Sequence, residues 1–102
     1  MSAYIFAIVK NITSPEQYLK YAKESLAAVE QYGGRFLYRN GQRELIEGDA
    51  INDRIVIVEF NSVEQAKKWY YSEEYTKAKA IRAGVAEASI YVLNAHGNPE
   101  LL

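Results

Sequence analysis

The sequence predicts a single α+β domain in which two helices cover one face of a four-stranded antiparallel sheet. The first observation is the order of segments, which alternate as strand, helix, strand, strand, helix, strand along the 102 residues. The second is that both helical segments begin with a serine followed three residues later by glutamine. The third is that the predicted strands are apolar on both faces, although the chain supplies helices for only one.

Four runs of β-branched and aromatic residues, bounded by polar or turn residues, are predicted as strands. They cover residues 3–9, 35–39, 54–60 and 88–93. Asn40-Gly41 leaves two alternatives open, because this pair suits either a tight hairpin turn or a kink in one long strand that runs to Glu47. Residues 48–53 are predicted as a polar loop.

The first helix is predicted to begin after Ser14, with Pro15 at its first position and Gln17 completing a capping box. It is predicted to end at Gly33-Gly34, because glycine tolerates the left-handed conformation of a helix C-cap. Residues three and four apart form its apolar face. These residues are Tyr18, Ala22, Ser25, Val29 and Tyr32.

The second helix is predicted to begin after Ser62, again with a glutamine, Gln65, three residues on. Ser72 has the features of another cap, so this helix is predicted to break and restart there. Several residues of segment 14–21 recur in segment 62–69, and a strand precedes each copy. Two β-α-β copies make the ferredoxin-like fold, predicted here for residues 1–95, with residues 96–102 as a C-terminal tail.

The apolar character of both sheet faces predicts self-association. Residues 4–9 alternate between two apolar sets, and residues 55–58 do the same. An exposed apolar face of this size is rare on a monomer. We therefore expect a twofold homodimer with its sheets packed face to face, as in a dimeric α/β barrel. The alternative is that Phe60 or a long loop closes this face within one chain.

Composition argues against several classes of protein. The net charge is −1 and the basic residues form no stripe, which predicts no nucleic-acid partner. The chain has no cysteine and one histidine, His96, so no disulfide, metal site or cofactor is predicted. The sequence shows neither a signal peptide nor a membrane-spanning run, which predicts a cytoplasmic protein without a membrane partner.

Arginines mark a candidate site for a small anionic ligand. Arg35 and Arg39 are predicted to lie on one side of the second strand, and Arg54 begins a strand that pairs beside it. The planar guanidinium group suits a carboxylate or a phosphate. The alternative is ion pairing with nearby carboxylates. These carboxylates are Glu44, Glu47 and Glu59.

Glu59 is the candidate general base, because a carboxylate buried at the end of a very apolar strand would have a raised pKa. The alternatives are an ion pair with an arginine across the sheet and a solvated carboxylate beside the turn. Asp49 and Asp53 are predicted as turn residues. With Glu47 they lack the spacing of a calcium-binding loop.

Four aromatic residues lie within seven positions, which is dense for a helix that only covers a sheet. Tyr70 is predicted to lie in the core, and Tyr71 is predicted to point away from it. Trp69 and Tyr75 are the candidates for the wall of a ligand pocket, because each combines an apolar ring with a polar donor.

Two sequence blocks are similar to a known family: residues 32–37, Tyr-Gly-Gly-Arg-Phe-Leu, and residues 69–75, with Trp69-Tyr70, Ser72 and Glu74-Tyr75. Through them the chain resembles the domain-of-unknown-function family 1330, in the dimeric α/β-barrel group of ferredoxin-like folds. Glu73 departs from a pattern that often has proline there. The resemblance implies a dimer of two sheets and no established activity. The wider superfamily includes cofactor-independent monooxygenases, haem-binding proteins, and isomerases or decarboxylases of small organic acids.

The sequence leads to two main hypotheses, and it leaves open whether the protein is an enzyme. The first is a dimeric small-molecule-binding protein that could act without a cofactor on a small organic acid. Arg39 and Arg54 would hold the anion, Trp69 and Tyr75 would form the wall, and Glu59 would be the base. The second is a non-catalytic dimeric module in which packing explains these residues. A third, haem-binding or monooxygenase-like, follows from the resemblance alone.

Overall fold

The structure, a computed structural model, describes residues 2–95. Its elements are β1 (Ala3–Lys10), α1 (Pro15–Gln31), β2 (Arg35–Arg39), β3 (Arg54–Phe60), α2 (Val63–Tyr70), α3 (Glu73–Arg82) and β4 (Glu87–Asn94). The predicted order of strands and helices is confirmed, and the second helix is divided in two as predicted. The predicted tail, residues 96–102, lies outside the described residues, and so does His96.

The four strands form one antiparallel sheet in the order β2-β3-β1-β4. With this element order, the sheet has the predicted ferredoxin-like arrangement. The helices pack on one face only, where alternate residues of β1 are buried: Ala3, Ile5, Ala7 and Val9. Val58 and Phe60 of β3 lie on the same face and are also buried. Phe60 therefore does not close the other face, and that part of the alternative is wrong.

Three serines begin the three helices by accepting a backbone N–H at the third helical position. Ser14 Oγ accepts from Gln17 at 3.3 Å, and Ser62 Oγ accepts from Gln65 at 3.0 Å. Ser72 Oγ accepts from the N–H of Tyr75 at 3.0 Å and donates to the carbonyl of Trp69 at 2.7 Å. Ser72 thus satisfies backbone groups at the end of α2 and at the start of α3, which explains why the helix restarts there.

The two glutamines after Ser14 and Ser62 do not complete capping boxes. The Gln17 side chain donates to the carbonyl of Ile81 near the end of α3, at 3.1 Å. The Gln65 side chain donates to the carbonyl of Tyr32, the C-cap of α1, at 2.7 Å. Each glutamine therefore ties the start of its helix to the end of another, because carbonyls there lack intrahelical partners.

Gly34 allows β2 to approach the core closely. A Cβ atom at this position would lie 2.6 and 2.7 Å from ring atoms of Phe60 and 2.9 Å from Val29. Both neighbours are fully buried and have no room to move aside. We expect Gly34→Ala to lower the free energy of unfolding by about 1–3 kcal/mol, through overpacking.

Urea denaturation measures this change. Gly41→Ala is the matched control, because its nearest contact would be an ordinary 3.6 Å from the Tyr38 ring. Equal stability of the two variants would contradict this account of Gly34.

No helix of residues 2–95 lies on the other face of the sheet, which is called the open face below. Eight apolar side chains lie on it, and cross-strand partners such as Phe6 and Ile57 stack in rows. The eight are Tyr4, Phe6, Ile8, Tyr38, Ile55, Ile57, Tyr91 and Leu93. Both faces of the sheet are thus apolar, as predicted.

A β-bulge interrupts β2. Phe36 pairs with Val58 and Tyr38 pairs with Ile57, so Leu37 is an extra residue without a partner position on β3. The bulge reverses the alternation of faces. Arg35 therefore lies on the open face, and Arg39 lies on the face that the helices cover. The prediction that Arg35 and Arg39 share one side is therefore wrong.

The connection between β2 and β3, residues 40–53, is irregular and exposed. It is neither the tight hairpin nor the long strand that the sequence left open. Asn40 has a positive φ of 51°, and its N–H donates to the carbonyl of Ile55 at 2.7 Å, which closes the end of the ladder. Beyond this point the segment leaves the sheet and exposes Leu45, Ile46 and Ile51.

Candidate anion-binding site

A cavity of about 70 Å³ lies between α1 and the helix-covered face of the sheet. Its lining includes all four residues that the sequence predicts as ligand-binding: Arg39, Arg54, Trp69 and Tyr75. Arg39 is exposed, whereas Trp69 and Tyr75 are only 3% and 0% exposed. The cavity therefore runs from an arginine at the surface to an aromatic wall in the core.

Arg39 and Arg54 approach each other across the β2–β3 ladder. Arg39 pairs with Val56, so Arg54 is its diagonal neighbour on the same face, at a Cα separation of about 7–8 Å. The Arg39 guanidinium lies 4.7 Å from the centre of the Phe36 ring, and that of Arg54 lies 5.1 Å from the Tyr18 ring. These rings orient both cations toward the cavity while leaving their N–H donors free for another partner.

Among the described residues, the carboxylate pairing that the sequence offered as an alternative occurs only for Arg35. Within residues 2–95, the one ion pair joins Arg35 to Glu59, across the open face. Neither Arg39 nor Arg54 has a described carboxylate within 4.0 Å. The positive charge at the cavity is thus not neutralised by the part of the chain that the structure describes.

The inner wall of the cavity is a cluster of aromatic rings with polar ends. The Tyr21 and Tyr75 hydroxyl oxygens are 2.8 Å apart, and the Trp69 and Tyr75 ring centres are 4.3 Å apart. The buried indole N–H of Trp69 has no acceptor among the described residues. An unsatisfied buried donor is costly, and this one belongs to a residue of the cavity wall.

The hydroxyls of Tyr75 and Tyr18 remain protonated at neutral pH, because the pKa of each is raised. Burial, and next the neighbouring Tyr21, raise the pKa of Tyr75 above its ordinary value of 10.0. The pKa of Tyr18 is raised by the same two causes, which outweigh the opposing charges of Arg54, Arg82 and Arg39. The phenols therefore offer hydrogen-bond donors, not bases.

Arg82, Tyr18 and Tyr21 belong to this region, although the sequence singled out none of them as a site residue. Arg82 is half-buried, and its guanidinium lies 5.3 Å from the centre of the Tyr21 ring. Arg82 follows Tyr75 by seven residues, which places both on one side of α3. That spacing was visible in the sequence, but its meaning depends on how α1 packs against α3.

Trp69, and not Tyr70, is the fully buried aromatic residue at the end of α2. Tyr70 was predicted to lie in the core, but it is half-buried and its hydroxyl accepts from Lys79 Nζ at 3.3 Å. Trp69 occupies the core position, where it packs against Phe60 at a ring-centre distance of 5.6 Å. The reason is that α2 has only two turns, so its last residues face the junction with α3 and not the sheet alone. Tyr71 points outward as predicted.

Glu59 lies on the open face, away from the cavity. Its carboxylate accepts from Arg35 Nε at 2.7 Å, so the structure has the ion pair that the sequence offered as an alternative to a base. This hydrogen bond lowers the pKa of Glu59 below its ordinary value of 4.5. A general base working at neutral pH needs a raised pKa, so the geometry does not support that role.

The lowered pKa of Glu59 predicts a specific loss of stability in acid. A carboxylate with a lowered folded-state pKa stabilises the fold above its unfolded-state pKa, and this contribution disappears as pH falls through the folded-state pKa. We expect the stability difference between wild type and Glu59→Gln to shrink as the pH falls below 4.5. Urea unfolding at a series of pH values measures it, and a difference independent of pH would contradict the prediction.

Within residues 2–95, no helix is long and apolar enough to cross a bilayer. Nor do three or more His, Cys, Asp or Glu side chains gather there in a group that could hold a metal ion.

Solved structures with this fold come from several bacteria. The RPA0582 protein of unknown function from Rhodopseudomonas palustris is 21% identical, with a TM-score of 0.70 over 90% of this chain and 80% of that one. SnoaB, a cofactor-independent oxygenase from Streptomyces nogalater, is 10% identical, with a TM-score of 0.67 over 96% of both chains. A dimeric ferredoxin-like protein of unknown function from Bacteroides fragilis is 14% identical, with a TM-score of 0.52 over 91% and 94%.

These likenesses establish the fold and not the activity. No protein of curated function matches the sequence. The model of a domain of unknown function, DUF1330, matches residues 2–96, which is nearly the whole chain. The chain therefore belongs to the DUF1330 family.

Proposed function

We propose that this protein is a homodimeric small-molecule-binding protein whose cavity takes the carboxylate of a small organic acid. The observation that carries the proposal is the convergence of two unpaired arginines on one cavity. Arg39 and Arg54 supply two cations without a described carboxylate partner. A carboxylate has only acceptor oxygens, so it complements a site built from donors.

The size of the cavity limits what enters it. About 70 Å³ is several times the roughly 10–15 Å³ that one bound water needs, which leaves room for a carboxylate with a short stem. A longer stem would not fit behind the two arginines. The aromatic wall of Trp69 and Tyr75 suits an apolar stem at the inner end.

The site is better suited to binding than to proton abstraction. Among the described residues, the cavity lining contains neither a carboxylate nor a histidine, and the raised pKa of Tyr75 keeps its phenol neutral. For this reason Glu59 has no catalytic role in the proposal. SnoaB, which shares the fold, is a cofactor-independent oxygenase, so oxygenase activity is the reaction to assay once a ligand is known.

The dimeric part of the proposal rests on the open face. Eight apolar side chains there have no covering element within residues 2–95. A solved structure of the same fold, from Bacteroides fragilis, is described as dimeric. Face-to-face packing of two sheets would bury both open faces and leave the cavity, on the opposite side of each sheet, accessible to ligand.

Acetate and acetamide test the proposed site, because they have nearly the same shape and differ in charge. We expect acetate, and not acetamide, to raise the midpoint of thermal unfolding in a saturable manner, because a ligand of the native state stabilises it by mass action. Trp69, the single tryptophan, gives a second signal through its fluorescence. Equal responses to both compounds, or no response, would favour the alternative of a non-catalytic module in which these residues only pack.

A further inference from the structure

A second hollow lies between the α2–α3 segment and the edge strand β4. This groove has a volume of about 350 Å³ and is separated from the cavity by Ile5 and Ile90, which contact both. Ala88, Ile90 and Val92 of β4 form an apolar floor along one side of the groove. From the first to the last of them the strand extends roughly 13 Å.

The charged groups at the groove are all cations. Lys67 and Arg82 line it, and no acidic residue does so within the described part of the chain. Lys79 adds a third positive charge nearby, since its Nζ lies 4.9 Å from the centre of the Tyr70 ring, which also lines the groove. The groove therefore combines an apolar floor with a positive rim.

Arg82 gives the groove a specific point of recognition. Its guanidinium is held against Tyr21, at 5.3 Å from the centre of the ring, and the residue lines the groove. A ligand carboxylate in the groove would meet this cation there and form a charge-assisted hydrogen bond.

We propose that this groove binds an amphipathic carboxylate, whose apolar body lies on β4 and whose carboxylate meets Arg82. A volume of about 350 Å³ is within the range of small-molecule pockets, about 300–1,000 Å³, and suits a medium-chain or aromatic acid. The apolar floor selects for a hydrophobic body, and the cations select against a positive or neutral head group. This site does not depend on the proposed function, because it uses neither Arg39 nor Arg54.

Isothermal titration of the full chain with octanoate tests the proposal, with octanol as the uncharged comparison. We expect saturable binding of one octanoate per chain and roughly 10- to 100-fold weaker binding of octanol, which lacks the charge-assisted hydrogen bond. Acetate at saturation should leave octanoate binding unchanged, and so should the double variant Arg39→Gln, Arg54→Gln. Loss of octanoate binding in that double variant would place octanoate in the cavity and overturn the groove proposal.

Val92→Glu tests the location directly, because Val92 is at the rim, partly exposed, and a carboxylate there would repel the ligand. We expect at least tenfold weaker octanoate binding for this variant and near-normal binding for Val92→Gln, its matched control. Equal binding by both variants, or equal binding of octanol and octanoate to wild type, would overturn the proposal. If Val92→Glu does not fold, the double variant Arg39→Gln, Arg54→Gln still decides whether octanoate binds outside the cavity.

Discussion

Replacing both Arg39 and Arg54 with glutamine is expected to abolish measurable acetate binding. The two guanidinium groups are diagonal neighbours at the cavity, and neither has a described carboxylate partner. Each hydrogen bond to a charged group contributes about 1.5–3 kcal/mol, so losing both should weaken affinity by roughly 100-fold or more. Glutamine keeps a polar side chain at each position but removes the charge. Titration of Trp69 fluorescence with acetate measures the effect.

Arg35→Gln is the matched control for this experiment. Arg35 is in the same strand, but it lies on the open face and its side chain is 75% exposed. We expect this variant to bind acetate as wild type does. Acetate binding that persists in the double variant, or that disappears in Arg35→Gln, would show that the anion is held elsewhere.

Phe6→Asp is expected to convert the proposed dimer into monomers. Phe6 lies near the middle of the open face, between Ile57 on β3 and Tyr91 on β4. In a face-to-face dimer the substitution would bury two unpaired carboxylates close to the twofold axis, at a cost of several kcal/mol each. In a monomer the same side chain would meet water, so the subunit itself should remain folded. Light scattering coupled to size-exclusion chromatography measures the mass in solution.

Leu19→Asp is the control for the dimer experiment, because Leu19 is exposed on α1, on the opposite side of the subunit. We expect this variant to keep the wild-type mass. A wild-type protein that is monomeric at micromolar concentration would remove the basis for the open-face dimer. A dimer that survives Phe6→Asp would place the interface on another surface.

Local chemistry explains which parts of the fold could be predicted from the sequence. Ser72 indicates a helix restart because a cap needs only its side-chain oxygen and the backbone N–H three residues later, at Tyr75. Both groups are local, so the sequence alone identifies them. The alternation of apolar sets in β1 predicts two apolar faces for the same reason, since the period of a strand is fixed by its backbone. Neither inference requires knowledge of what the element packs against.

Other features depend on distant parts of the chain and could not be predicted in this way. Gln17 has the spacing of a capping box, but its side chain bonds to Ile81, which lies 64 residues further along. The role of Arg82 depends on the packing of α3 against α1, which brings its guanidinium over Tyr21. Trp69 is predicted as a wall residue and lines the cavity, but the depth of its burial depends on how the α2–α3 junction packs against the sheet.

The extra residue in β2 has a consequence for comparing related chains. Arg39 is four positions after Arg35, yet it faces the opposite side, because Leu37 occupies no rung of the ladder. A homologue with an uninterrupted strand would need its cavity-facing arginine three positions after the equivalent of Arg35. An alignment without a gap at Leu37 would then pair Arg39 with a homologue residue whose side chain is on the opposite surface of the sheet.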